Sequence, residues 1–203
     1  LTIENSLGLV SWWGQMDYYT YSYQFAGDKK AMDQGLFNSI KANDVRKTQF
    51  LNSPTSSNHL IPYNKFYAPG KVAGGQRSIE TDYVYMRMEE RYLRSAEMAA
   101  KEGVDAEAIA RLKDILAIRF DDAVDYAYVD ALAGKALQDE IHLQTRIEFL
   151  GEGKSYLALK RNKATVTRGA NHLYLVNVPI PYNDNRLDFE IPQSEIQNNP
   201  FIN

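Results

Sequence analysis

The stretch DEIHLQTRIEFLGEGKSYLALKR, Asp139 to Arg161, decides the architecture. It reads as the last turns of a helix from about Lys135 to Leu150, then a Gly-Glu-Gly break. A short segment through Tyr156, Leu157 and Leu159 follows and closes on Lys160 and Arg161. Leu137, Ile141 and Gln144 fall on one helical face, while Leu143, Ile147, Phe149 and Leu150 add further apolar surface. Gly151 and Gly153 supply the backbone freedom that stops the helix. Glu140, Arg146 and Glu148 are placed either for a partly buried charge network with Lys160 or Arg161, or for a solvated face.

Upstream, Asp82 to Lys101 carries a stripe of Met86, Leu93, Ala96 and Ala100, flanked by Tyr85, Met88 and Tyr92. Gly103 ends this helix, and Asp105 is placed to cap a second one over Ala106 to Phe120. Two helices joined by so short a turn pack antiparallel, as in a tetratricopeptide-type hairpin. Glu90 and Glu97 share a face of the first helix. Carboxylates on one stripe are expected to pair with neighbouring cations, whereas acid–base catalysis needs two that converge across a cleft. Asp121 to Gly134 is a more polar connection.

Further out, Met32, Leu36, Phe37 and Ile40 predict a short helix within Gly27 to Asn43. Asp44-Val45-Arg46 reads as a local ion pair or cap, worth little if exposed. Asn52 to Gln76 has the Pro, Gly, Ser and Asn content of a long irregular loop. Downstream, Leu173 to Val178 reads as a short strand, and Pro192 as the start of a turn whose Glu195 and Ile196 anchor the tail. Near the start of the chain, Trp12, Trp13, Tyr18, Tyr19, Tyr21, Tyr23 and Phe25 form a dense aromatic patch. Tryptophan and tyrosine join an apolar face to a polar edge, which suits stacking against the C–H face of a sugar ring. The same residues also suit a core, or a half-buried strand alternating through Tyr19, Tyr21, Tyr23 and Phe25.

Composition removes several classes. The chain has 203 residues, a net charge of −3 and no cysteine, so disulfides, thiolate metal sites and thiol nucleophiles are excluded. Its basic residues are scattered, which gives no nucleic-acid footprint. His59, His142 and His172 lack metal-ligand spacing, and no cofactor is expected.

Four segments together resemble the SusD/RagB-like nutrient-binding proteins. Arg87, Glu90, Leu93, Ala96 and Glu97 fit the family's Arg-x-x-Glu-x-x-Leu-x-x-Ala-Glu helix. Glu148 to Arg161 is similar to its Glu-Phe-x-Gly-Glu-Gly…Leu-Lys-Arg block. Ile191 to Pro200 resembles its Ile-Pro-x-x-Glu-Ile…Asn-Pro tail, and Asp44-x-Arg46 its Asp-x-Arg element. Two departures stand out: Ser155 where the family often has Arg, and Ala158 where it commonly has Asp.

The resemblance implies an all-α fold of tetratricopeptide-like helical hairpins with long irregular loops. It also implies that residues 1–203 form the C-terminal SusD/RagB-like portion of a longer protein, with helical repeats and a lipidation site ahead of it. The family consists of surface-exposed outer-membrane lipoproteins of Bacteroidetes-type bacteria. Its members bind an oligosaccharide or other nutrient without cleaving it, and they work with a SusC-like TonB-dependent transporter. Trp12, Trp13, Tyr18, Tyr19 and Tyr21 are the ligand-binding candidates, and membrane attachment is expected only through an anchor outside these residues. The alternative is a helical-repeat module that binds another protein; a glycan-cleaving enzyme lacks a convergent carboxylate pair in this spacing.

Overall fold

The computed structural model describes residues 31–66 and 86–201. Helix α1 (Gln34–Ser39) starts at Asp33, whose carboxylate accepts from the Leu36 amide at 2.9 Å. Its apolar residues do what their spacing predicts: Met32, Leu36, Phe37 and Ile40 are buried with Phe50, Leu60 and Ile147. Phe37 meets Phe50 edge to face, with ring centroids 6.0 Å apart. A 3₁₀ turn (Val45–Gln49) and the short α2 (Tyr63–Phe66) follow.

The centre of the molecule is the hairpin of α3 (Met88–Lys101) and α4 (Asp105–Leu116). Leu93, Ala96 and Ala100 of α3 pack against Ala108, Leu112 and Ile115 of α4. Alanine at three facing positions of the hairpin lets the backbones approach, and leucine and isoleucine fill the remaining volume. Gly103, at φ 79°, makes the turn between them. Three boundaries differ from the sequence reading, the first being that α4 ends at Leu116 and not at Phe120. Met86 is 72% exposed, off the expected stripe, because the backbone at Arg87 is extended and α3 begins only at Met88. Asp105 is the first helical residue rather than the cap, since the Val104 carbonyl already accepts from Ala108 at 3.1 Å.

A 3₁₀ segment (Ala123–Ala131) leads across to α5 (Gly134–Glu148). The Gly134 amide donates to Asp105, and Gln138 donates to the Ala100 carbonyl. At the far end Glu148 meets Arg87 and Arg119. These contacts fix α5 antiparallel to α3 and parallel to α4. Helix α6 (Lys154–Arg161) follows the Gly-Glu-Gly break, where Gly151 and Gly153 sit at φ 77° and 73°. Lys154 pairs with Glu90 and Arg161 with Glu97, so α6 runs alongside α3 in the same direction.

The expected strand at Leu173 to Val178 is not formed. Leu175 and Asn177 take positive φ, and Leu173 is 99% exposed. The hairpin instead joins β1 (Thr165–Thr167) to β2 (Pro179–Pro181) antiparallel, with Val166 opposite Ile180. Ile180 is the buried residue of β2, and its flanking prolines, which lack amide donors, fit the edge of a two-stranded sheet. Helix α7 (Gln193–Asn198) starts after Pro192 as expected, but none of its residues is buried, so Glu195 and Ile196 do not anchor the tail.

Candidate functional site

Trp12, Trp13, Tyr18, Tyr19 and Tyr21 lie outside the described residues. What the described residues build is a charged frame and, beside it, a polar cleft.

The frame grows from the Asp44-x-Arg46 element. It is not the exposed pair that local reading allows: Asp44 and Arg46 are each 2% exposed. Asp44 caps the 3₁₀ turn through the Arg46 amide at 2.9 Å and also pairs with the Arg46 guanidinium at 2.6 Å. The Arg46 guanidinium donates onward to Glu148 at 3.0 Å and to Gln144. Glu148, buried at the end of α5, is thereby shared among Arg46, Arg87 and Arg119. Arg87 continues to Glu152 at 2.8 Å, Arg119 to Glu89 at 2.9 Å, and Lys65 to Glu152 at 2.8 Å. Glu148 therefore does enter a buried network, but its partners are three arginines from distant segments rather than Lys160 or Arg161. Lys160 pairs with Asp188, and Glu140 accepts from Tyr128 and Gln144.

The electrostatics follow from this packing. Burial alone would raise the Glu148 carboxyl, but the bonds and charges of Arg119, Arg46 and Arg87 hold it at about 2. Glu97 is likewise pushed up by burial and brought down to about 2 by Arg161 and Lys101. Glu97 is thus an ion-pair partner and stays charged near neutral pH, not a carboxyl poised to donate a proton. Glu90 pairs separately, with Lys154 at 3.1 Å. Among the described residues no group of His, Cys, Asp or Glu side chains is arranged to hold a metal ion.

The cleft, about 540 Å³ in volume, opens between α5 and the junction of α6 with β1. Residues 135, 138, 139, 142 and 146 form its wall on one side because they recur at helical spacing along α5. Arg161 to Thr165 form the other wall, where α6 ends. That end is closed by Asn162 and Ala164 amides bonding back to the Ala158 and Leu159 carbonyls, with Lys163 at φ 47°. Burial lowers the His142 pKa, assisted by Arg146, so the ring is neutral near pH 7. Arg146, expected either in a charge network or on a solvated face, joins no ion pair among the described residues and lines the cleft; that position depends on where α6 ends, which local spacing does not reveal.

The SusD family model matches residues 16–203. A SusD superfamily protein from Bacteroides thetaiotaomicron superposes with a TM-score of 0.64 at 27% identity, over 84% of this chain and 39% of that one. One from Bacteroides fragilis gives 0.60 at 24% identity, over 90% of this chain and 39% of its own. A SusD-like carbohydrate binding protein from Bacteroides vulgatus gives 0.57 at 20% identity, over 82% and 40%. The last two show a shared fold. The chain thus spans about two-fifths of the length of these structures. No curated protein matches it.

Proposed function

The chain belongs to the SusD family, and we propose that it captures an oligosaccharide at the outer-membrane surface, without cleaving it, for import through a SusC-like TonB-dependent transporter. The observation that carries this reading is the family match over residues 16–203. The likeness in fold to a SusD-like carbohydrate binding protein agrees with it. Trp12, Trp13, Tyr18, Tyr19 and Tyr21 are the residues proposed to stack on sugar rings, for the physical reason their sequence supplies. The engagement of Glu97 with Arg161 and Lys101 agrees with a binding rather than a hydrolytic role for this helix.

Calorimetric titration of the chain against neutral oligosaccharides, with product analysis of the same mixtures, tests the reading. Binding without cleavage is the expected result. Stacking contributes about 0.5–1.5 kcal/mol per ring beyond area burial, so replacing both Trp12 and Trp13 by Ala is expected to weaken binding by about tenfold. Cleavage products would overturn the capture reading, and unchanged affinity in the double variant would remove the two tryptophans from the site.

A further inference from the structure

We propose that the cleft between α5 and the α6–β1 junction binds an acidic sugar through its carboxylate, with Arg146 as the bidentate anchor and Lys163 as a second cation. The sugar half of this proposal rests on the glycan reading above; the carboxylate half rests on the cleft alone.

The described arginines that are at least partly buried are Arg46, Arg87, Arg111, Arg119, Arg146 and Arg168, the last of which donates to the Tyr174 carbonyl at 3.2 Å. The first four are each paired with a carboxylate. The Arg146 guanidinium makes no hydrogen bond and no ion pair with any described residue. Its nearest compensation is the more distant charge of Asp33, and that carboxylate is already committed to the Leu36 and Gly169 amides and to His172. Burial pushes the guanidinium pKa down, the expected result of desolvating a cation without supplying its counter-charge. A partly desolvated guanidinium whose donors open to the cleft and meet no protein acceptor is available to a carboxylate.

The rest of the lining shows what that occupant must be. Lys101 and Arg161 share the single carboxylate of Glu97, and Lys135 pairs with Asp139. The cleft therefore carries an excess of positive charge, within which Arg146 and Lys163 are the lining cations that pair with no described carboxylate. Lys163 is held in left-handed backbone, at a helix end where glycine is the usual residue, and its side chain lines the cleft. The Asn162 amide is oriented by its 2.9 Å bond to the Ala158 carbonyl, so its nitrogen faces His142 Nδ1 at 3.4 Å. The imidazole proton is thereby directed to Nε2, which adds a donor. A planar guanidinium matches a carboxylate in bidentate geometry, whereas neighbouring amide, imidazole and hydroxyl groups suit ring hydroxyls. The volume falls within the range of small-molecule sites.

The test is an NMR titration of the full 203-residue chain with sodium galacturonate, glucuronate and N-acetylneuraminate. Sodium acetate and the methyl esters of the two uronates serve as controls. The expected result is a saturable shift of the Arg146 Nε–Hε signal with at least one acid. The ester should be silent, and acetate at least about tenfold weaker. A charge-assisted bidentate contact contributes enough that Arg146→Gln should lower affinity by at least about tenfold at an unchanged Tm. Arg146→Lys, which keeps the charge and loses the fork, should also bind more weakly than the native chain. Equal binding by Arg146→Gln, equal shifts from ester and acid, acetate matching the acids, or no shift with any acid at 50 mM salt would each overturn the proposal. Its failure is separable from failure of the glycan reading, which the Trp12 and Trp13 variants test with neutral oligosaccharides.

Discussion

Replacing Glu148 by Gln tests the charged frame directly. The frame contains four cations, Arg46, Arg87, Arg119 and Lys65, against four carboxylates, Asp44, Glu89, Glu148 and Glu152. Glu148 is the member bonded to three of the arginines, and its side chain is 3% exposed. Glutamine keeps the shape but removes the counter-charge and turns an –NH₂ toward guanidiniums that are themselves donors. Breaking a buried pair by removing one partner costs about 3–5 kcal/mol, because the other charge stays buried. With a urea m-value of about 2 kcal/mol/M, the unfolding midpoint should fall by about 2 M.

The pH dependence supplies a second, independent reading. A carboxylate of ordinary pKa 4.5 that is held at about 2 in the folded chain contributes stability that is fully present above 4.5. That contribution is lost as pH falls through about 2. A shift of this size corresponds to about 3 kcal/mol. The difference between native and Glu148→Gln chains should therefore shrink as pH is lowered from 5 toward 2. Glu97 titrates in the same window but is common to both proteins and cancels. A loss under about 1 kcal/mol, a value expected of surface pairs, or a deficit that stays constant from pH 5 to 2, would refute the reasoning.

Gly153 adopts φ 73° with open space where a side chain would go, so Gly153→Ala introduces backbone strain and no clash. It should cost about 1–2 kcal/mol, read as a drop of a few degrees in Tm, and Gly153→Asn should cost less. Arg161→Met removes one of two cations from Glu97, and Arg161 is one-third exposed, so the loss should be only about 1 kcal/mol. The same variant should raise the Glu97 pKa from about 2 toward its ordinary value, measured by carboxyl-carbon NMR titration.

Much of the helical frame was legible because it rests on short-range periodicity. The buried set Leu93, Ala96, Ala100, Leu137, Ile141 and Gln144 follows from the spacing of α3 and α5, and the break at Gly151 and Gly153 from glycine alone. Helix ends were less legible, since Met86 and Arg87 are held out of α3 by bonds from Arg87 to Glu148 and Glu152, about sixty residues away. The value of Asp44-x-Arg46 was illegible for the same reason. Whether a local ion pair is exposed or buried depends on what covers it, and Glu148 and Gln144 do so from a distant helix. The strand at Leu173 to Val178 was a misreading of apolar composition, because pairing with Thr165 to Thr167 falls instead on Pro179 to Pro181. The aromatic candidates rest on composition and family likeness, and the cleft at Arg146 required knowing where α6 stops.

The placement of charge also bears on why these helices run in the directions they do. Glu148 is the last residue of α5, where a helix dipole presents its negative end and a carboxylate is unfavourable. The cations offset this in two ways. Arg87 and Lys65 donate to the Glu148 carbonyl at 2.6 and 2.7 Å, and Lys65 also to that of Leu150, capping the helix end itself. Arg119, just past the end of α4, brings a cation to a second negative helix end at the same pole of the bundle. Glu89 and Glu90 lie there in the first turn of α3, against its positive end. At the opposite pole the pattern repeats, with Lys101 in the last turn of α3, Asp105 and Glu107 opening α4, and Arg161 closing α6. Reversing α5 within the bundle would carry Glu148 toward Asp105 and Glu107 and leave Arg87 and Arg119 without their shared partner. Apolar spacing alone fixes which faces meet; the charged ends fix which way each helix points.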